Sequence, residues 1–475
     1  MIARERSGSV VSRMRTDLGC PQLLKPTTRL GGRLTPRVSN DRLNEPKKIS
    51  RCSMQRKSIR LILPLSAMLA AVSGFCLDSP SQASNDSVSR IGLSGTAQKD
   101  SRAAMYAGDE ACAACHRAQF VGYQHTGHHL TSMLPSKGSI LGTFNDPGNQ
   151  LKIEDPAPAI GDPGLSYKME RKDDAFFQTA TTGFPGQLQS RTKQIGIVIG
   201  SGVRGQSYLY WQSDSLFELP VSYWSDGKRW INSPGYRNGP PNFARQATPR
   251  CLECHMSYIK TQSPDPMTNR YDKTTLVPGI SCETCHGPGA AHIATHRTGV
   301  HTANSAPSHI LNPSAFSRER QIDLCALCHN GAQQEALAPA FSYVPGTPLD
   351  KHLRPLDAKT AIRPDVHANQ VGLLERSRCF RSSQTMTCTT CHQAHAPERP
   401  AATYSAQCLG CHEATSCGMA KTLGRQIESN CIDCHMPLQQ TEAIVSQTAD
   451  TVIRTTMRTH LIAVYPAEDQ LNLEH

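Results

Sequence analysis

Cysteine and histidine recur along this 475-residue chain in one fixed arrangement, Cys-x-x-Cys-His, seven times over. The copies are Cys112-Cys115-His116, Cys251-Cys254-His255, Cys282-Cys285-His286, Cys325-Cys328-His329, Cys388-Cys391-His392, Cys408-Cys411-His412 and Cys431-Cys434-His435. Two thiols three positions apart on one turn of chain can add to the two vinyl groups of a haem and form thioethers, while the adjoining imidazole turns onto the iron. Zinc knuckles, redox dithiols and disulfides also use Cys-x-x-Cys, but none requires the following His. Histidine accounts for only 19 of 475 residues, so its presence after all seven pairs is not coincidence. The spacing predicts seven covalent c-type haems, with His116, His255, His286, His329, His392, His412 and His435 as proximal iron ligands.

The other side of each iron decides between electron transfer and catalysis. Twelve further histidines could serve there: His125, His128, His129, His292, His296, His301, His309, His352, His367, His395, His460 and His475. Two imidazoles on opposite faces of one iron hold their backbones far apart, whereas residues three apart on a helix have Cβ atoms only about 5–6 Å apart. His395 is therefore expected to serve a neighbour of the haem bound by His392, or none. His292, six residues after His286 across a Gly-Pro-Gly break, is a cross-haem ligand if it is a ligand at all. His125, His301 and His475 read as ordinary surface or core side chains, and Met133 and Met436 as packing residues.

The elements that must position these groups are short. At 38% hydrophobic and 5% aromatic the chain is poorly supplied for a conventional core, and covalently held porphyrins would provide the missing apolar surface. The formal charge of +11 resides in the leader, since residues 1–83 carry 15 Lys+Arg against 5 Asp+Glu, leaving 35 against 34 for the remainder. Haem propionates would make the mature protein acidic, which argues against a nucleic-acid partner.

Residues 1–83 read as a disordered extension followed by a signal peptide at 54–83, with basic residues Arg56, Lys57 and Arg60, the apolar run Leu61–Phe75 and a small-x-small site at Ser81-Gln82-Ala83. That run is short of the about 20 residues a spanning helix needs, so an uncleaved membrane anchor is the lesser reading. A lipid anchor at Cys76 is disfavoured by the preceding Phe75, and Met54 is an alternative start. A linker at 84–104 leads to a first haem segment at 105–133. A loop and β-rich insert at 134–250 follows, with strand composition at about 165–235 and all three tryptophans, Trp211, Trp224 and Trp230. These read as packing its core or shielding a haem edge, with a partner-docking surface as the alternative. Haem block two (251–345) and haem block three (388–437) carry three motifs each, separated by a connector at 346–387 and followed by a tail at 438–475. No 34-residue helical repeat is present. Outside the motifs and the leader remain Cys379 and Cys417, a possible disulfide in an oxidising compartment.

The stretches Cys115-His116 with Tyr123-Gln-His-Thr126-Gly-His128, Cys285-His286-Gly-Pro-Gly with His292, His392-Gln-Ala-His395 and Cys434-His435-Met436-Pro437 resemble the multihaem cytochromes c of the tetrahaem cytochrome c-554, hydroxylamine oxidoreductase and pentahaem nitrite reductase group. The resemblance covers roughly residues 105–465, more softly in the insert at Ile199-Gly-Ser-Gly202 and Ser233-Pro-Gly-Tyr236. It implies a mainly α and irregular multihaem fold organised by seven haems, with a small β-rich insert. It also implies distal ligation by His128 and His292, with His367, His395 and His460 as the next candidates. The expected function is that of an exported, periplasmic electron carrier served by redox partner proteins or a quinol-linked donor. The alternative is an oxidoreductase with one open iron acting on a small nitrogen or sulfur compound, although the Cys-x-x-Cys-Lys motif of the nitrite reductases is absent. A docking or scaffold module working through the insert is a third class.

Overall fold

The computed structural model describes residues 105–153, 164–297, 309–331, 334–355, 369–447 and 451–466. The leader, its proposed signal peptide, the linker, His301, His367 and His475 lie outside the described residues.

Eleven helices are described, most of them only one or two turns long: α1 (Asp109–Ala113), α2 (Arg117–Tyr123), α3 (Pro249–Glu253), α4 (Cys282–His286), α5 (Ala290–Arg297), α6 (Arg318–His329), α7 (Gln370–Leu374), α8 (Arg378–Ser382), α9 (Ala401–Cys408), α10 (Ala420–Leu423) and α11 (Cys431–His435). Helices this short are not stable by themselves, so their position is dictated by what they pack against. Most of the motifs sit on them, because the attachment chemistry asks for one closed turn from the first Cys to the His. The amides of His116, His392 and His412 donate to the carbonyls of Cys112, Cys388 and Cys408, each at 2.9 Å. The longest helix, α6, is started by Ser317, whose hydroxyl accepts from the Arg320 amide, and ends on Cys325-Cys328-His329.

Strand is as plentiful as helix, about 27% against 28%. The insert contains two antiparallel sheets. One comprises β1 (Ser132–Met133), β6 (Ile197–Ile199), β7 (Gly205–Gln212), β8 (Ser215–Glu218), β9 (Val221–Trp224) and β10 (Arg229–Asn232), in the order β1-β6-β7-β9-β10 with β8 on β7. The other runs β2 (Gln150–Ile153), β3 (Leu165–Lys172), β4 (Ala175–Thr182), β5 (Gln189–Gln194) in sequence order. Alternation sets which face is buried: Leu165, Tyr167 and Met169 of β3 and Phe176, Gln178 and Ala180 of β4 point inward. Together with Tyr208, Tyr210, Val221 and Trp230 they form one core shared by both sheets. Gln178 Nε2 ties the sheets by donating to the Val221 carbonyl at 2.8 Å.

Three two-stranded ribbons complete the fold: β11 (Met256–Thr261) with β12 (Tyr271–Pro278), β13 (Gln334–Ala336) with β14 (Leu353–Pro355), and β15 (Leu438–Gln447) with β16 (Val452–Arg458). The expectation of a mainly α and irregular chain is thus corrected to a mixed one, and the insert begins with β1 and β2, well before residue 165. Of the missed strands, Gln-Leu-Lys-Ile in β2 alternates but over only four residues, and Val-Ile-Arg-Thr-Thr-Met-Arg in β16 is largely polar, so that there cross-strand pairing rather than apolar alternation defines the strand.

A second apolar cluster (Leu209, Leu216, Leu252, Met256, Ile259, Tyr271) joins the insert to the motif on α3, and a third (Ile322, Leu327, Leu349, Leu353, Val371, Phe380) surrounds α6. Block three is different: between residues 388 and 437 the only buried apolar side chains described are Ile427 and Ile432.

Of the tryptophans, Trp230 is buried against Phe144, Tyr208 and Tyr223. Trp211 and Trp224 are half-buried beneath Lys273 and Arg229. Trp230→Ala should cost about 3–5 kcal/mol of insert stability, read as an earlier β-sheet transition in denaturant by far-ultraviolet circular dichroism.

Candidate functional site

The fold draws motifs that are distant in sequence into neighbouring pairs. The Cys112 thiol contacts Cys282, Cys254 contacts Cys328, and Cys325 contacts Cys388. The contact with Cys388 holds the Cys325 thiol well above its usual range, and burial adds to the rise. Burial also pushes Cys285 up to about 11.

Histidines meet across the same junctions, each pair joining a motif imidazole to one from elsewhere. His116 lies 6.5 Å from His292 between ring centroids, with planes inclined by 24°. His286 lies 5.8 Å from His395 at 14°, and His392 lies 6.1 Å from His460 at 19°. His128 faces His329 at 6.0 Å with planes at 75°. Two imidazoles bound through nitrogen to opposite sides of one metal, at about 2 Å per bond, place their centroids roughly 6 Å apart. The four pairs therefore fit two axial ligands around an iron. Among the described residues no group of three His, Cys, Asp or Glu side chains forms a metal cluster. The scarcity of apolar filling in block three is likewise what a large apolar prosthetic group would require.

Five of these rings are biased toward the neutral form that binds metal. Burial, with His329 and His392 nearby, pulls His128 down to about 4, and burial with His392 does the same to His460. His329, His392 and His395 are lowered chiefly by burial. Neutral imidazole is the ligating species. Several rings are also aimed through Nδ1, which faces the Leu311 carbonyl for His286 (2.8 Å), the Ala463 carbonyl for His435 (2.8 Å) and Gln370 Oε1 for His329 (3.1 Å). His255 Nδ1 meets Thr131 Oγ1 at 3.0 Å. Each such contact leaves Nε2 to point at a metal.

Backbone contacts set the non-motif histidines. The His128 carbonyl accepts from the Ile280 amide at 3.0 Å, and the Ile280 carbonyl in turn accepts from the Tyr123 hydroxyl. At Gly279, with φ +67°, a Cβ would strike the His129 carbonyl; at Gly122 of α2 it would lie 2.5 Å from the carbonyl oxygen of His395. Both glycines allow segments bearing histidines to approach closely.

Acidic residues inside or beside the motifs were not singled out by sequence reasoning. Glu283, in the middle of Cys-Glu-Thr-Cys, is buried and accepts from the amides of Ala107 (2.8 Å), Gly108 (2.9 Å) and Gly289 (2.7 Å). Asp109 reciprocates by accepting from the Cys282 amide at 2.9 Å. Glu253, between Cys251 and Cys254, accepts from the Phe341 amide (2.7 Å) and from Arg250, whose other nitrogen reaches the Leu327 carbonyl at 2.6 Å. The first and third motifs are thus tied by Glu283 and Asp109, and the second and fourth by Arg250, which Glu253 orients; the two glutamates are residues that the motif writes only as x.

The remaining candidates lie elsewhere. His129 stands 3.8 Å from Asp109 and edge-on to Tyr123, His296 is beside His292, and His352 packs on Tyr343. His412 is exposed, and among the described residues no histidine ring faces it or His435. Of the two readings open for Cys379 and Cys417, a disulfide or free thiols, the structure has separate thiols. Cys379 lies near Cys391, Cys408 and Cys411, and Cys417 near Cys434.

Paired motifs with cross-motif histidines define a c-type cytochrome with several haems. The family profile described as cytochrome c554 and c-prime matches residues 234–287. The C-type polyheme cytochrome OmcC of Geobacter sulfurreducens is 25% identical over 180 residues, 37% of this chain and 21% of the relative. The chain therefore spans about a fifth of that relative's length. The crystal structure of the outer cell wall cytochrome OcwA superposes with a TM-score of 0.47 at 16% identity, over 77% of this chain and 81% of that one. The seven motifs and these similarities together support a multihaem cytochrome c, and a cytochrome of the c type implies covalently bound haem c.

Glu283→Ala would leave three amides without their acceptor and should lower stability by on the order of 3 kcal/mol, measured as a fall in the melting transition followed at the Soret band.

Proposed function

We propose that this chain is an exported seven-haem cytochrome c that transfers electrons through mostly bis-His haems, between redox partner proteins or from a quinol-linked donor. The observation that carries this reading is the set of four cross-motif histidine pairs with centroids 5.8–6.5 Å apart. Bound haem would supply one-electron chemistry at iron. The chain's own residues would attach it through Cys112, Cys115, Cys251, Cys254, Cys282, Cys285, Cys325, Cys328, Cys388, Cys391, Cys408, Cys411, Cys431 and Cys434. His128, His292, His395 and His460 would close the far sides of the irons held by His329, His116, His286 and His392. His367 is carried forward as a candidate for one of the others.

Continuity of the motifs supports a conducting role. Beyond the three thiol contacts, Cys285 influences Cys325, and Cys408 is influenced by Cys431 and Cys391. Every motif thus has a neighbour, and the fourth touches the second and fifth and lies within electrostatic reach of the third. Export follows from the chemistry, since covalent attachment requires thiols to meet haem outside the cytoplasm. The proposed leader at 54–83 would direct it, with a membrane anchor if that leader is retained. Among the described residues no helix is long and apolar enough to cross a membrane.

A second reading, an oxidoreductase with one open iron for a small nitrogen or sulfur compound, is favoured by the exposed His412, which no described histidine ring faces.

The oxidised holoprotein should give a pyridine haemochrome count of seven and a paramagnetic resonance spectrum of low-spin haem unchanged by nitrite, hydroxylamine or cyanide. A substantial high-spin signal that shifts on adding those ligands would favour the second reading. His128→Ala should convert one low-spin iron to high spin with the haem count unchanged.

A further inference from the structure

Between blocks two and three the chain carries Asn369–Ser377, a segment with no Cys-x-x-Cys and no histidine. It comprises α7 and the turn after it, and it is tightly packed: Leu373 and Ser377 are fully buried, and Val371 and Asn369 nearly so. Its two ends reach different histidine pairs. At one end Gln370 presents Oε1 to His329 Nδ1 at 3.1 Å. At the other, Ser377 donates its hydroxyl to the His460 carbonyl at 3.0 Å and accepts from the Ile462 amide at 2.8 Å.

The serine contact is unusual for its position. Ser377 is the N-cap residue of α8, where a serine hydroxyl ordinarily accepts from an amide of its own helix. Here no side-chain capping bond is made. The hydroxyl is committed instead to the His460 carbonyl, 83 positions away, and to the Ile462 amide just beyond it. His460 has no helix or strand of its own, since β16 ends at Arg458. Its ring faces His392 at 6.1 Å and its Nδ1 lies 3.3 Å from the Arg458 carbonyl. Ser377 therefore fixes the backbone from which that ring projects. The two pairs this segment serves are close neighbours, because only seven positions separate Gln370 from Ser377.

We infer that Asn369–Ser377 is a bracket that positions axial ligands at two adjacent irons, Ser377 holding His460 opposite His392 and Gln370 holding the tautomer of His329. The inference rests on the bis-His reading of these pairs. Ser377 and Gln370 are positioning residues, since neither touches an iron. An amide oxygen accepting from Nδ1–H makes the ring a stronger donor through Nε2. Losing that acceptor weakens the ligand and favours the reduced metal.

The test uses the full-length holoprotein with Ser377→Ala, Gln370→Leu and His460→Ala, each checked by mass for an unchanged number of attached haems. Ser377→Ala is expected to show a new high-spin ferric signal from about one of the seven irons, abolished by added imidazole. Gln370→Leu is expected to remain low-spin but to raise one reduction potential in a spectroelectrochemical titration. If His460→Ala produces a high-spin iron while Ser377→Ala remains wholly low-spin, the bracket is overturned at Ser377 and the ligand reading stands. If His460→Ala is itself silent, the ligand reading fails and takes the inference with it. A Gln370→Leu titration superimposable on the wild type overturns the other half.

Discussion

The constraint on which the rest depends is that two imidazoles facing each other across about 6 Å cannot come from adjacent stretches of one short helix. In the proposed bis-His arrangement a motif supplies one ring and receives the second from elsewhere. His292, just beyond the third motif, goes to the first; His395, beyond the fifth, goes to the third; His128, beyond the first, goes to the fourth; His460 returns from the tail to the fifth. No motif in this set is complete by itself, and the exchange interlocks segments that share little apolar surface. This explains how a chain with so few buried side chains in residues 388–437 can hold a defined path.

The interlock is reinforced by hydrogen bonding rather than by volume. Glu283 and Asp109 exchange bonds between the first and third motifs, and Arg250 and Glu253 connect the second motif to the fourth motif's helix and to Phe341. Buried carboxylates with every oxygen engaged are directional, and they fix spacing in a way that slippery aliphatic contacts do not. Arg458 does the same at the end of the chain, donating to the carbonyls of Ile432 and Met436 and to Asp433 around the seventh motif.

Much of this was legible in the sequence for a chemical reason. Cys-x-x-Cys-His states a reaction geometry, and the ban on His395 serving its own motif followed from helix dimensions; the structure places it against His286. The particular partners were not legible, because which histidine reaches which motif depends on the path of intervening loops. The same holds for Ser377, whose position before a helix announces a cap and whose hydroxyl goes elsewhere. The small ribbons were missed because strands such as Tyr271–Pro278 carry charged and hydroxyl side chains without a clean alternation. The separate thiols of Cys379 and Cys417 reflect distances that composition does not encode.

The insert also has a topological property. The chain departs at Ser132 and comes back at Gly279, where the Gly279 amide donates to Ser132 Oγ at 2.9 Å and the Ile280 amide to the His128 carbonyl at 3.0 Å. The whole excursion, two sheets and the second motif included, starts and finishes at one doorway. Closing a loop costs free energy that grows only logarithmically with its length. Loops of the insert can therefore be lengthened or trimmed beyond that doorway while His128 and the third motif keep their places, whereas the second motif is also held from the far side by the Arg250 bond to the Leu327 carbonyl; size variation among descendants of the chain would fall in those loops.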